Sequence, residues 1–215
     1  MNHLSAQITF KVKDGITLTA DTDAVSFGLR YTSQGSSAIN DMRLGCSPVV
    51  DRRQERVPGT RTRYLSGEVP PDRVARISCG LGLPDGSGYV RLASADPGVQ
   101  PSFNYRYLQH PNDSRRVREG IRKAVGFLES DAYKDVCDYR LHPKDDILAD
   151  DDALDLYIRQ TCGTARHVTG TCKMGPDSDP MAVVDQYGKV HGADGLRVAD
   201  ASIMPDCVRA NINVT

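Results

Sequence analysis

The chain has 215 residues, of which 39% are hydrophobic and 26% are charged, and its formal net charge is −1. This length accommodates one large domain, or one domain with part of another, and the composition is ordinary for a globular protein. Because the net charge is close to zero, no global field attracts nucleic acid or an anionic membrane. No apolar run approaches the roughly 20 residues of a membrane helix, and no signal-peptide pattern is present. The six irregularly spaced cysteines favour a reduced protein, for which we expect a cytoplasmic location.

The first half of the chain is dominated by short segments in which apolar and polar residues alternate, as they do in β-strands. Residues 27–31 are ambiguous, and residues 51–71 are charged and turn-rich, which predicts a surface segment with solvated arginines at 52–63. The glycine-rich segment 80–88 does not predict a dinucleotide site, because a strand follows it instead of a helix; a hairpin is favoured. The predicted strands or strand-like runs are 5–12, 16–19, 42–50, 74–79 and 89–94, with an extended piece at 101–105.

Two helices are predicted in the second half. The first follows Pro111, can be capped by Asn112 or Asp113, and places apolar residues at helical spacing as far as Leu128. Its opposite face is basic, which we interpret as simple solvation; the residues are Arg115, Arg116, Arg118, Arg122 and Lys123. The second helix, 151–161, opens with a run of Asp that suits the positive end of the helix dipole, and Gly163 is expected to end it.

The last fifty residues differ in character from the rest. Glycine becomes frequent, and short β-type runs at 182–185, 188–191 and 196–199 alternate with tight turns. The fold class is therefore predicted to be α+β, with a mostly antiparallel sheet and covering helices in residues 1–160. Residues 161–215 are predicted to pack elsewhere.

His167 is the most informative candidate for chemistry, because small residues on both sides allow a ligand or another backbone to approach. From the residues alone, a functional role and a buried structural role are equally supported. A zinc site formed by Cys162, His167 and Cys172 is disfavoured, because structural zinc sites use tight Cys pairs that are missing here, so no metal is predicted. No G-x-S-x-G motif is present to indicate a serine nucleophile.

Three segments carry a family resemblance. HVTGTCKMG at 167–175, VVDQYGKVHGADGLRVADASIMP at 183–205 and RANINVT at 209–215 resemble the C-terminal signature of the glucose–methanol–choline (GMC) family of FAD-dependent oxidoreductases. The run beginning SGYVRLASADPG resembles the start of that family's C-terminal region, so the resemblance covers about residues 86–215. Residues 1–85 resemble the family's substrate-binding region only loosely.

The resemblance implies both an architecture and a reaction. Residues 1–160 would be the substrate-binding domain, and residues 161–215 the C-terminal segment of a Rossmann-like FAD-binding domain that carries the active-site residues. An alcohol CH–OH group would be oxidised by hydride transfer to flavin N5, which requires a base for the hydroxyl proton. His167 matches the family's active-site His and would be that base. Asn211 matches the second active-site position and would hydrogen-bond the substrate oxygen.

The resemblance also implies FAD contacts and a missing part. Asp200 and Ala201 match positions near the flavin's ribityl and phosphate region, and Ile212 and Asn213 match backbone near its pyrimidine edge. The strand–G-x-G-x-x-G–helix fingerprint of the N-terminal FAD-binding part is missing. We therefore expect a C-terminal fragment that is inactive alone and binds FAD weakly or not at all.

The implied partners are a small-molecule alcohol and that N-terminal part, with no nucleic acid and no membrane. The resemblance leaves the substrate open among choline-like, aliphatic, aryl and sugar alcohols. It also leaves open whether oxygen or another molecule accepts the electrons. The alternative is a non-catalytic binding module that retains the fold without turnover.

Overall fold

The computed structural model of the chain describes residues 1–16, 18, 27–48, 69 and 73–214. The Arg-rich segment 52–63 that was predicted to be solvated lies outside the described residues, as do two of the four residues of the strand-like run 16–19. Among the helices of the described residues, none combines the length and the apolar character that crossing a bilayer requires.

The chain folds into two compact units. Unit 1 consists of Met1–Leu4, Leu81–Ser114 and Thr164–Thr215, and unit 2 consists of Ser5–Gly80 and Arg115–Gly163. Both units are therefore assembled from segments that are distant in sequence. The predicted division at residue 160, between a substrate-binding domain and an FAD-binding segment, is a functional one and stays a prediction.

The larger sheet confirms the predicted α+β architecture. Its strands follow the order β2-β3-β4-β1-β7, and β8 pairs with β1 off this path. The β2–β3 pair is antiparallel in regular register, which makes the ambiguous segment 27–31 a strand, and β1 pairs with β7 antiparallel with two register shifts. The strands in the described part of the chain are β1 Leu4–Val12, β2 Phe27–Tyr31, β3 Met42–Pro48, β4 Val74–Leu81, β5 Tyr89–Arg91, β6 Ser102–Asn104, β7 Cys137–His142 and β8 Gly163–Thr164.

The hairpin predicted across residues 80–88 is wrong. The strand after this loop, β5, pairs antiparallel with β6 in a separate two-stranded sheet, with Tyr89 opposite Asn104. The two paired segments approach closely at Gly88, where a Cβ would lie 2.0 Å from the Asn104 carbonyl oxygen. The close approach of these two backbones therefore needs the glycine.

Within the described residues, the α-helices are α1 Pro111–Leu128, α2 Asp145–Ala149 and α3 Asp151–Thr161. Capping of α1 by Asn112 or Asp113 is wrong, because the helix already begins at Pro111, whose missing N–H costs nothing at a first helical position. In α3 the Asp150 side chain accepts a hydrogen bond from the Ala153 N–H at 2.7 Å. Gly163 does not end α3; Cys162 leaves the helix in an extended conformation, and Gly163 enters β8.

The hydrophobic core of unit 2 lies between α1, α3 and the larger sheet. The apolar stripe of α1 is buried as its spacing predicted, and the fully buried residues include Val117, Ile121, Leu154, Ile158, Ile8, Phe10, Met42, Leu44 and Ile77.

The interpretation of the basic face of α1 as simply solvated is wrong. The Arg116 side chain is 2% exposed and lies 3.1 Å from a carboxylate oxygen of Asp41, which is 0% exposed. Arg118 donates to Asp155 at 2.7 Å, and Arg122 donates to Asp151 at 2.7 Å. The basic face thus has specific acidic partners, because the residue directly before β3 and the residues of α3 bring carboxylates alongside it.

The prediction of short strands after residue 180 is also wrong. Within the described residues these segments form isolated bridges, Met174 with Val184, Val184 with Val190, and Lys189 with Arg197. The turns between them are tight, as expected: Gly188 has φ +73°, and a Cβ there would lie 2.6 Å from the Val198 carbonyl oxygen. Two 3-10 helices, Ala201–Ile203 and Ile212–Val214, follow.

Candidate active site in unit 1

The backbone around His167 is held by the first residues of the chain. Ala165 N–H donates to the His3 carbonyl at 3.0 Å, and Thr169 N–H donates to the Met1 carbonyl at 3.0 Å. Between them, the His167 N–H donates to the Asn2 side-chain oxygen at 2.9 Å. The segment that carries His167 is therefore joined to residues 1–3 by regularly spaced hydrogen bonds.

Asn2 is the centre of this connection. It is 4% exposed, and besides accepting from His167 it donates from its amide nitrogen to the Tyr107 hydroxyl and to the Thr164 hydroxyl, at 2.6 Å each. A buried amide whose oxygen and nitrogen are both engaged holds its neighbours in one arrangement. Asn2 thus links three segments of unit 1 around His167.

The imidazole of His167 contacts the imidazole of His3. The two Nδ1 atoms lie 2.7 Å apart, the ring centroids are 4.9 Å apart, and the rings are nearly perpendicular at 89°. His3 is 7% exposed, and its Nε2 lies 2.8 Å from the Val208 carbonyl oxygen. His3 therefore connects His167 with the segment that leads to Asn211.

Asn211 begins the last described turn of the chain. It is exposed, and its side-chain oxygen accepts a hydrogen bond from the Asn213 N–H at 2.9 Å. Because the oxygen accepts from an N–H, the amide nitrogen carries the donors of this side chain. Its neighbour Ile212 opens the 3-10 helix Ile212–Val214.

Asp200 caps the other 3-10 helix, Ala201–Ile203. Its carboxylate accepts from the Ser202 N–H at 2.7 Å. Hydrogen bonds from the Ser202 side chain and backbone lower the pKa of this exposed carboxyl group, so it is ionised at neutral pH.

Unit 1 also contains a small cavity beside His167. It has a volume of about 30 Å³ and is lined by residues that include Asn2, Tyr89, Phe103 and Val168. About 10–15 Å³ suffices for a water molecule, so this cavity has room for ordered water.

The structure brings together a different group of potential metal ligands from the Cys162, His167 and Cys172 set considered in the sequence. Among the described residues, the group of potential ligands whose atoms lie within 4.8 Å of one another is Asp85, His110 and Asp113. Asp113 has a structural role there, because its two carboxylate oxygens accept the N–H groups of Asp85 and Gly86 at 2.9 Å each. All six cysteines, each within the described part of the chain, are unpaired.

Sequence reasoning missed Asn2 and His3, which contact His167 directly. His3 was one of several histidines in loop-like contexts, and nothing in its neighbours marks it. No local sequence signal could have found it, because the two histidines are more than 160 residues apart along the chain.

The comparisons with known proteins agree with the segments that carry the resemblance. A family model described as GMC oxidoreductase matches residues 84–215. The chain belongs to the GMC oxidoreductase family. The oxygen-dependent choline dehydrogenase 1 of Chromohalobacter salexigens is 40% identical over 126 residues, which cover 59% of this GMC chain and 22% of the relative.

Two solved structures share the fold of this GMC chain. Pyridoxine 4-oxidase from Mesorbium loti superposes with a TM-score of 0.77 at 22% identity, covering 99% of the chain and 39% of the neighbour. A formate oxidase variant of Aspergillus oryzae RIB40, described in connection with modification of its FAD, superposes with a TM-score of 0.74 at 23% identity, covering 99% and 43%. The chain therefore spans less than half the length of each of these relatives.

Proposed function

We propose that this chain is the C-terminal portion of an FAD-dependent oxidoreductase that oxidises an alcohol CH–OH group by hydride transfer, with His167 as the general base. The observation that carries the proposal is the double fixation of His167. Its backbone is held by Asn2, and its ring is held by His3. A general base needs a defined position relative to the proton it abstracts, and this arrangement supplies one.

The residues expected to contact FAD are chemically suited to it. The ionised carboxylate of Asp200 can accept hydrogen bonds from ribityl hydroxyl groups, and the adjacent backbone of Ala201 can face the phosphate region. Ile212 and Asn213 lie in an exposed turn whose backbone can face the pyrimidine edge. When bound, FAD would supply the hydride acceptor.

The chemical steps assigned to this chain concern the proton and the oxygen of the substrate. His167 would take the hydroxyl proton, because a carbon releases hydride far more readily once its hydroxyl is deprotonated. Asn211 would donate a hydrogen bond from its amide nitrogen to the oxygen as negative charge develops there. An amide has no basic nitrogen at neutral pH, so the two residues have separate roles.

Unit 1 presents an apolar surface that supports the need for a further FAD-binding part. The exposed apolar residues of segment 90–105 are Val90, Leu92, Val99, Phe103 and Tyr105, with exposed fractions between 38% and 84%. Exposed apolar patches commonly mark interaction sites. Since the chain spans only 22% to 43% of its relatives, we propose that the FAD-binding part covers this surface.

FAD retention tests this part of the proposal. We expect the 215-residue chain, purified alone, to retain little FAD, and a form that includes an N-terminal FAD-binding part to retain it stoichiometrically. Stoichiometric FAD on the chain alone, read from the flavin absorbance, would show that no further part is needed.

The catalytic roles are tested by substitution in the FAD-loaded protein, with a panel of alcohols that includes choline and with an artificial electron acceptor. His167→Ala should lower kcat by about 10²–10⁴-fold, the usual contribution of general base catalysis, while FAD content is unchanged. Asn211→Ala should lower kcat by about 10²–10³-fold. His110→Ala is the control, because His110 belongs to the Asp85 cluster and not to the His167 site. Unchanged turnover in His167→Ala would exclude His167 as the base, whereas no turnover of any alcohol by the FAD-loaded parent protein would favour the non-catalytic alternative.

A further inference from the structure

The neighbours of His3 determine which of the two rings donates and which accepts in the hydrogen bond between His3 and His167. His3 Nε2 lies 2.8 Å from the Val208 carbonyl oxygen, and a carbonyl oxygen can only accept a hydrogen bond. The proton of this bond therefore belongs to His3 Nε2. A neutral imidazole carries one N–H, so Nδ1 of neutral His3 has a lone pair and accepts.

The tautomer of His167 follows from that of His3. The two Nδ1 atoms are 2.7 Å apart, which requires a proton between them, and with His3 as acceptor the proton is carried by His167. Neutral His167 then has its N–H at Nδ1 and its lone pair at Nε2. We infer that His3 is a positioning residue that fixes His167 in the Nδ1–H tautomer, so that Nε2 is the atom that takes a proton. This inference deepens the proposed function and rests on it for its catalytic consequence.

The same contact stabilises the charge that proton transfer creates. When Nε2 of His167 takes the proton of a substrate hydroxyl, the ring becomes an imidazolium, and its Nδ1–H continues to donate to His3. A hydrogen bond from a charged donor is shorter and stronger than a neutral one. The number of protons balances: the hydroxyl loses one, the imidazole gains one, and His3 remains neutral with its N–H on the Val208 carbonyl.

Nitrogen NMR tests the tautomer without any turnover measurement. In the 15N-labelled 215-residue chain at a pH where both rings are neutral, protonated and unprotonated ring nitrogens have well-separated chemical shifts. We expect Nε2 of His3 and Nδ1 of His167 to be protonated, and the other two nitrogens to be unprotonated. A His167 protonated at Nε2 would overturn the inference. The spectra of His3→Gln and of His167→Gln assign the signals.

Substitution of His3 tests the catalytic consequence in the FAD-loaded protein. His3→Leu removes the acceptor, so the Nε2-protonated form of His167 becomes accessible, and kcat should fall at least tenfold with little change in KM or FAD content. A base held in the wrong tautomer can cost as much as about 10⁴-fold. His3→Gln keeps a carbonyl acceptor for His167 and an amide donor for Val208, so it should recover most of the lost kcat.

His110 supplies the matched control: the kcat values of His110→Leu and His110→Gln should equal each other, unlike those of the two His3 variants. A His3→Gln variant that folds and is as slow as His3→Leu would overturn the positioning role. Failure of the proposed function is distinguishable, because His167→Ala would then leave turnover unchanged whatever the NMR spectra show.

Discussion

Alanine is the residue that favours helices most, yet we predict that Gly120→Ala in α1 destabilises the protein. Gly120 is buried, and a Cβ built on it would lie 2.2 Å from Cys79 Sγ, 2.8 Å from the Tyr31 hydroxyl oxygen and 3.3 Å from Met42 Cε. Carbon and sulfur atoms in contact are normally separated by well over 3 Å. Because the three neighbours belong to three strands of one sheet, no single flexible side chain can move to make room.

The magnitude follows from two opposing effects. Gly→Ala in a helix interior usually stabilises by about 1 kcal/mol, whereas an extra methyl group in a packed core costs about 1–3 kcal/mol or more. At separations this short we expect the steric cost to dominate, with a net loss of about 1–2 kcal/mol in the free energy of unfolding for Gly120→Ala. At about 2–4 °C per kcal/mol for a chain of this size, Tm should fall by roughly 2–8 °C.

Gly126 supplies a matched control on the same helix. It is exposed, and a Cβ there would meet no atom within 4 Å. Gly126→Ala should therefore raise the unfolding free energy by up to about 1 kcal/mol. Both variants are measured by thermal and urea unfolding followed by circular dichroism.

A double-mutant cycle identifies the contact responsible. Cys79→Ala removes the sulfur atom nearest to the added methyl group, so Gly120→Ala should cost less in the Cys79→Ala background, with a coupling of roughly 0.5–3 kcal/mol. If Gly120→Ala stabilised the protein as much as Gly126→Ala does, the close packing of α1 on the sheet would be refuted.

Four further predictions concern buried polar groups and one buried thiol. Asp41→Ala should cost about 3–5 kcal/mol because it leaves Arg116 buried without its carboxylate, and adding Arg116→Met should recover much of the loss in urea unfolding. Burial by itself would raise the pKa of Asp41, but hydrogen bonds from Ser33 and Arg116 outweigh it and hold the pKa below its ordinary value. The carboxylate therefore contributes stability above pH ~4, and this contribution should fade as the pH falls through the lowered pKa; a flat stability profile in acid would contradict it. Burial raises the pKa of the Cys79 thiol to about 12, so mass spectrometry after treatment with a thiol reagent at pH 8 should find Cys79 unmodified in the native protein and modified in denaturant. Asp113→Ala removes the acceptor of two backbone N–H groups and should cost about 1–3 kcal/mol, with faster hydrogen exchange at Asp85; unchanged exchange there would exclude the role of Asp113 in holding this loop.

Periodicity and composition were sufficient for the parts of the fold that depend on local patterning. The alternation in residues 5–12 and 74–79 predicted two central strands, because one face of each is buried in the core. The helical spacing from Val117 to Leu128 predicted the buried face of α1, and the Asp run predicted α3. The motifs near the C-terminus identified the family, and the family model covers nearly the same residues.

The failures share a physical cause, which is that the deciding partner is distant in sequence. In the sequence Arg116 cannot be distinguished from a solvated arginine, because its partner Asp41, directly before β3, is 75 residues away along the chain. The strand at 89–91 has no local signal that its partner is 102–104 and not 74–79, since the pairing joins segments that are separate in the sequence.

The same distinction applies to the candidate site. The sequence by itself determined the family and the residue types proposed for the chemistry, His167 and Asn211, because these lie in continuous motifs. Only the tertiary structure decided which groups hold His167, since Asn2 and His3 lie more than 160 residues away along the chain. Hydrogen-bond donors and acceptors act through distances of about 3 Å in space, and a linear pattern carries no information on which distant residues come that close.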